Sequence, residues 1–251
     1  MIEIHPLTGI GEVGPGDCLA ALLEASLGAM GLLPFLAGDV LVVTQKIVSK
    51  SEGRSVDLAG IVPGAEAKRI AAITLKDPAF VELVLGEAKE VVRAAPNVLI
   101  TRHRSGLVMA NSGIDRSNLG TSGDRALLLP ADPDASAARL RSDLERRYGC
   151  APAIVISDSF GRPWRLGVTG VAIGAAGLTA LVDRRGEKDR DGRILEVTQV
   201  ALGDLAASAA NLVIGEGAEG MPAALIRGLA LPAGSSPAST LIRAEQEDLF
   251  R

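Results

Sequence analysis

A chain of 251 residues, 47% hydrophobic and 22% charged, has the balance of a folded globular protein and leaves no room for wholesale disorder. A formal net charge of −4 gives no general attraction to nucleic-acid backbones or anionic membranes. Aromatic residues at 2% are too few for a base-stacking platform, so the ligand is expected to be a small molecule and any phosphate site to be local.

In chain order, MIEIHPL alternates as a short strand and TGIGEVGPGD is a glycine-rich loop. Asp17 then caps a helix whose Leu19, Leu22, Leu23, Leu27 and Met30 recur at helical spacing. The stretch GDVLVVTQKIVSK is a strand whose far end carries Lys46 and Lys50 on the same side of an extended chain. EAKRIAAITLK and PAFVELVLGEAKEVV are helices, the second capped by Asp77 with Pro78 at its first position. Strands follow at 98–103 and 106–110, then an amphipathic helix with Asp134 as cap that ends near Gly149. Residues 153–156 form a buried strand with Asp158 at its carboxyl edge. The charged segment 183–193 is a mobile loop and a candidate lid. A helix starts near Thr198, and AALIRG is the last strand. Helices and strands mix without regular alternation, which predicts an α+β fold rather than a plain doubly wound sheet.

No apolar run reaches the ~18 residues of a membrane span, and the first residues lack an export signal. Cys18 and Cys150 lie far apart without metal-type spacing, so buried free thiols in a reducing cytoplasm are expected.

No standard nucleotide motif is present, so residue types have to carry the search. Asp115, Asp158 and Glu216 each stand in a polar stretch beside an apolar run. Such acids suit Mg2+ or Mn2+, whose shells combine a few carboxylates with phosphate and water. They equally suit ordinary turns and caps. LTGIG (7–11) can aim backbone N–H groups at an anion, and Lys46 and Lys50 can add charge, although a solvated lysine is the commoner outcome. DSFGRPWR gathers Arg162, Arg165 and the single tryptophan, Trp164, which usually means a core anchor. His5 and His103 have no local acid partner and read as structural or solvent-facing.

Taken together and in order, LTGIG, TQKIVSKSEGR, NSGIDRSN, ISDSFGRPWR, DGRILEVT and EGAEGMPAALIRG resemble the coenzyme F420:L-glutamate ligase family, across residues 7–228. The resemblance implies an unusual α+β fold of mixed sheets and helices, an intertwined homodimer, and one ligase domain over residues 1–251, divisible into two subdomains, in the form without a fused reductase domain. It implies GTP-dependent joining of L-glutamate to the lactyl carboxylate of F420-0, then gamma-linked addition, with two Mg2+ or Mn2+ ions and K+ as a further cation. Asp115 and Asp158 would ligate one ion, and Ser159 and Glu216 a second. GTP would be surrounded by Thr8, Gly9, Ile10, Gly11, Gln45, Lys46, Lys50, Asn118 and the loop Ile214, Gly215, Glu216, Gly217, Ala218, Glu219, Gly220 and Met221. Asp115, Asp158 and Lys50 would carry catalysis. Two departures stand out: Ser159 replaces an expected threonine but keeps the hydroxyl, and EGAEG is a loose version of the family's final loop.

A carboxylate does not condense with an amine unaided, because its oxygen is a poor leaving group. The implied route is attack of the lactyl carboxylate on the gamma phosphorus, giving an acyl phosphate that the glutamate amine displaces. Two other readings stay open: a nucleotide-dependent ligase for a different carboxylate acceptor, and a non-catalytic GTP-binding protein.

Overall fold

The computed structural model describes residues 1–117 and 124–248. Its elements, in order, are β1 (Glu3–Pro6), α1 (Leu19–Ala29), β2 (Val40–Thr44), α2 (Gln45–Ser51), β3 (Ser55–Asp57), α3 (Ala65–Thr74), α4 (Pro78–Glu87), β4 (Ala88–Ala95), β5 (Val98–His103) and β6 (Val108–Ala110). Then come β7 (Arg125–Leu127), α5 (Pro133–Tyr148), β8 (Ala153–Arg162), β9 (Arg165–Ala176), β10 (Leu181–Asp183), β11 (Gln199–Ala201), α6 (Leu202–Ile214) and β12 (Ala223–Arg227). The architecture is α+β, as the sequence predicts.

A five-stranded main sheet has the order β1-β12-β2-β8-β9. β2 and β8 are parallel and its other pairs antiparallel. The runs Val40–Val43 and Ala153–Ile156 are apolar at every position because both faces of the sheet are covered. Their side chains alternate between two cores. Leu41, Val43, Ile154, Ile156 and Leu225 pack with residues of α1 and α5, while Val40, Val42, Val155 and Ile226 pack with Ala206, Ala207 and Ala210 of α6.

Glycines in β9 let the helices come close: a Cβ at Gly170 would lie 2.4 Å from Ala207 O, and one at Gly174 2.3 Å from Pro133 O. That contact explains a glycine-rich strand that local propensity disfavours. A third core, built from Leu58, Ile70, Phe80, Val84, Leu99, Ile114 and Leu128, serves a lobe inserted between α2 and α5. This lobe carries the β4-β5-β6 and β3-β7 sheets.

Several expectations are corrected. Lys46 and Lys50 lie on α2, not on an extended strand: Ile47, Val48 and Ser49 turn inward and Ser49 Oγ bonds Gln45 Oε1 at 3.0 Å. Four-residue spacing still puts both lysines on one side, now by helical geometry. The fourth helix stops at Glu87, and residues 88–95 pair with β5. Asp132, not Asp134, caps α5. Asp134 instead accepts N–H bonds from Ala175, Ala238 and Ser239. Asp17 accepts from Gly14 N within its loop and does not cap α1.

The last long helix starts at Leu202, because residues 199–201 pair with β10. Segment 183–193 is the stem of a hairpin, with Gly186 N bonding Leu195 O and Leu195 N bonding Glu187 O. Both cysteines are free but exposed. Trp164 is 81% exposed at the β8–β9 turn, where its φ is 57°, and is not a core anchor. His5 has a local acid after all, Glu3 at 3.0 Å, and His103 is buried beside Glu87 at 3.5 Å. Burial is the main cause that holds His103 below its ordinary value, outweighing the Glu87 carboxylate that pulls it up. Among the described residues no helix is long and apolar enough to cross a membrane.

Candidate active site

The parallel pairing of β2 with β8 ends at Thr44 and Ser157, and β8 continues beside β9 alone. Asp158 is therefore the first residue beyond the parallel partner, at the carboxyl end where open α/β pairs place ligands. The end of β2 turns directly into α2 and delivers Lys46. The segment after α6 delivers Glu216, and the inserted lobe delivers Asp115, whose backbone pairs with Leu127 in both directions.

These pieces converge. Lys46 Nζ lies 2.7 Å from Asp115 Oδ2 and 3.0 Å from Ser117 Oγ, and Ser117 N donates to Asp115 Oδ1 at 2.7 Å. Ser159 Oγ donates to Glu216 Oε1 at 2.5 Å, and Asn211 Nδ2 donates to the same oxygen at 2.7 Å. Ser159 N donates to Asp158 Oδ1 at 2.9 Å.

The two aspartates titrate in opposite directions. Burial pushes the Asp158 carboxyl up to about 7, and the negative charges of Asp115 and Glu216 add to it, against the Ser159 N–H and the Lys46 charge. Burial also raises Asp115, but hydrogen bonds from Lys46 and Ser117 outweigh it and hold this carboxyl below its ordinary range.

Asp115 follows an unusual turn. Asn111, Ser112 and Gly113 all have positive φ, at 52°, 53° and 70°. A left-handed non-glycine residue costs about 1–2 kcal/mol, so surrounding contacts have to enforce the shape. They do so at Ser112, which is fully buried: its N–H donates to Thr101 Oγ1 at 2.9 Å, the two hydroxyls are 2.8 Å apart, and its Oγ donates to Val84 O at 3.1 Å. Gly113 has no room for a side chain, since a Cβ there would be 2.8 Å from Met109 Cε and 2.9 Å from Leu129.

The glycine loop with Thr8, Gly9, Ile10 and Gly11 lies beside α2. Gly16 N bonds Ser51 O at 2.8 Å, and Lys50 Nζ meets Glu12 at 3.0 and 3.3 Å. Lys50 is only 13% exposed in its side chain while Glu12 is 78% exposed. Gln45 is buried and its carbonyl oxygen is taken by Ser49. In the 214–221 loop, Ile214 belongs to the α6 core, and Glu219 folds back to accept from Gly217 N at 2.8 Å. Ala218 and Gly220 are exposed and Met221 is half-buried. Asn118 lies outside the described residues. Arg162 and Arg165 stand on the exposed end of the β8–β9 hairpin, where Arg162 donates to Leu166 O at 3.2 Å.

Three contributors escaped sequence reasoning. Ser117 could have been found, because an aspartate two residues before a serine favours a turn in which the carboxylate takes the serine N–H. Asn211 and Glu12 carry no signal of their own.

The donor set of two aspartates, a glutamate and a hydroxyl consists of hard oxygen atoms, which fits Mg2+ or Mn2+. The raised Asp158 fits it too, since carboxylates crowded together need a counter-cation. Among the described residues, no three acidic, histidine or cysteine side chains gather tightly enough to hold an ion by themselves. The acids would be contributors to a shell shared with other oxygens.

Comparison with known proteins decides the family. The model of the F420-0:Gamma-glutamyl ligase family matches residues 9–228. The chain belongs to that family. Coenzyme F420:L-glutamate ligase of Methanopyrus kandleri is 44% identical over 254 residues, covering 100% of this chain and 98% of the relative. The Methanothermobacter thermautotrophicus protein of the same name is 42% identical, covering 100% and 99%, and that of Methanocaldococcus jannaschii is 44% identical, covering 87% and 86%. The family match spans four of the five strands of the main sheet and the inserted lobe, and with them Asp115, Asp158, Ser159 and Glu216.

Proposed function

We propose that this chain joins L-glutamate to the lactyl carboxylate of F420-0 and then adds gamma-linked glutamate, using GTP and passing through an acyl phosphate. The carrying observation is that Asp115, Asp158 and Glu216, from three separate segments, share one electrostatic neighbourhood with Lys46 at the carboxyl end of the parallel strand pair. The family relationship supports the ligase chemistry, because its curated members are named coenzyme F420:L-glutamate ligases.

In this reading Asp115 and Asp158 hold one divalent ion and Ser159 and Glu216 a second, with K+ as a further cation. Bound there, Mg2+ or Mn2+ would neutralise the triphosphate and steady the attacking and leaving oxygens. Lys46 and Lys50 add positive charge from α2, and the backbone N–H groups of 8–11 and of the 214–221 loop line the anion. No protein nucleophile is required, since alignment and charge neutralisation supply most of such a transfer. The chain's remaining task is to keep water from the acyl phosphate, and the charged 183–193 hairpin is our candidate for that cover.

We further propose a cytoplasmic homodimer. Trp164, Leu166 and Val168 near the β8–β9 turn are 81%, 99% and 49% exposed, an apolar group that a second copy would cover. Free, exposed Cys18 and Cys150 suit a reducing compartment.

The deciding experiment incubates the purified protein with F420-0, GTP, glutamate and Mn2+ and reads product masses. Addition of one or more glutamyl units with release of GDP and phosphate is expected. Turnover only with another carboxylate acceptor transfers the reading to that acceptor, and GTP binding without phosphate release ends it. Light scattering of Leu166→Ser against the parent tests the dimer: the parent at twice the monomer mass and a smaller variant are expected, and a monomeric parent ends that part.

A further inference from the structure

We infer that Ser112 and Thr101 are positioning residues for Asp115, and that their buried hydroxyl chain sets how tightly the site holds a divalent cation. This rests on the ligase reading, in which Asp115 is a metal ligand. The motif that raises the question is NSGIDRSN, since its first half touches nothing in the site yet adopts the most demanding backbone near it.

The donor and acceptor arithmetic has one complete solution. Ser112 N–H donates to Thr101 Oγ1, the Thr101 hydroxyl donates to Ser112 Oγ, and the Ser112 hydroxyl donates to Val84 O. Each hydroxyl then gives one bond and accepts one, with both residues fully buried. The chain ties three elements of the inserted lobe, α4 through Val84, β5 through Thr101 and the left-handed turn through Ser112.

From that anchor to the carboxylate there is little freedom. Ile114 N closes onto Asn111 O at 3.0 Å, the Ile114 side chain is buried in the lobe's core, and Asp115 is paired on both sides of its backbone with Leu127. The lobe thus presents Asp115 to Lys46 across the seam with the main sheet as a fixed group. In the same turn, the buried Asn111 Oδ1 has no hydrogen-bond partner among the described residues.

A rival account is that Ser112 is merely a small residue that tolerates left-handed geometry. Glycine separates the two, because it adopts positive φ without strain and lacks the hydroxyl. Under the rival account Ser112→Gly leaves the site untouched. Under ours it loosens Asp115.

The test titrates Mn2+ into the full-length protein by calorimetry and records melting temperature alongside. For Ser112→Gly and Thr101→Val we expect the Mn2+ dissociation constant to rise about fivefold or more, the size of one lost buried hydrogen bond. Thr101→Ser, which keeps the hydroxyl, should stay within about twofold of the parent. The Mn2+ concentration for half-maximal turnover should shift in step, with kcat at saturating Mn2+ changing less.

Mn2+ affinity unchanged in Ser112→Gly overturns the inference, even where the melting temperature falls, because a structural role alone predicts that pattern. If the glycine variant does not fold, Ser112→Ala is read by the same criterion. A parent protein that binds no Mn2+ overturns the metal reading itself and this inference with it, which is distinguishable from a parent that binds and a variant that binds equally well.

Discussion

Two rims of the same site handle their acids differently. On the α2 rim two acids have a lysine: Asp115 meets Lys46 at 2.7 Å and Glu12 meets Lys50 at 3.0 Å. On the β8 and α6 rim, Asp158 and Glu216 find N–H and hydroxyl partners among the described residues, from Ser159 and Asn211. The first rim is electrostatically settled before any ligand arrives. On the second, burial above all pushes the Asp158 carboxyl up to about 7, with the Asp115 and Glu216 charges adding to it, while hydrogen bonds from Lys46 and Ser117 hold Asp115 below its ordinary range. In the proposed reading, α2 would bring its own cations to the triphosphate, and a metal held between Asp115 and Asp158 would bridge the two rims.

The largest effect that would break this comparison comes from the unsettled rim. Asp158→Ala should lower turnover at least about a thousandfold, the scale of losing a principal electrostatic group. Near-normal ligase rates would remove Asp158 from the mechanism.

The same residue should act oppositely on stability. Asp158 ionises near 7 in the folded chain, against an ordinary 3.8. Between these values the folded state keeps a proton that the unfolded state releases, so metal-free stability falls as pH rises from about 4, and the loss is complete above about 7. Asp158→Asn should flatten that slope and raise the melting temperature at pH 8 by about 3–6 °C, as expected for one to two kcal/mol in a chain of this size. Unchanged melting curves at pH 5 and pH 8 in both proteins would show that the acid is not strained.

Smaller changes sharpen the settled rim. Lys50→Ala should weaken GTP binding about tenfold, the worth of one charge-assisted contact, with little change in melting temperature. An unaltered GTP dissociation constant would take Lys50 out of the nucleotide site. Glu12→Gln should move the other way and least: freeing Lys50 from an exposed partner is worth at most about 1 kcal/mol, so GTP affinity should improve about two- to fivefold. Weaker GTP binding in this variant would mean that Glu12 itself contacts the ligand.

How much of this was legible in the sequence depended on burial. Val40–Val43, Ala153–Ile156 and Ala223–Ile226 read as strands because sheets covered on both faces become continuous apolar runs. Asp77 with Pro78 announced α4 because the cap and the proline are local chemistry. Around Pro133 two aspartates compete, and only packing against Ala175 and Ala238 diverts Asp134 from the cap. α2 was misread because QKIVSK has both a polar alternation and a helical spacing in too few residues to separate them. β4 was absorbed into α4 because AKEVV contains no breaker.

The acids of the site stood out as polar residues after apolar runs, and Asp115, Asp158, Ser159 and Glu216 do come together. Their distances could not be read, because contacts such as Ser159 with Glu216 depend on how β9 and α6 fold back between them. Trp164 shows the opposite error, since composition favours a buried tryptophan but its place at the turn of the exposed β8–β9 hairpin end leaves it outside the core.

The parallel pairing of β2 and β8 has a kinetic consequence. Val40 is matched with Ala153, and the whole inserted lobe lies between them in the chain. The centre of the main sheet cannot zip locally, since its closure spans that intervening segment. A lobe with its own apolar cluster would shorten the effective loop by collapsing ahead of the sheet. During refolding, the Asp115 half of the site would then be shaped ahead of the strand that brings Asp158, and the seam between them would be among the last surfaces to form.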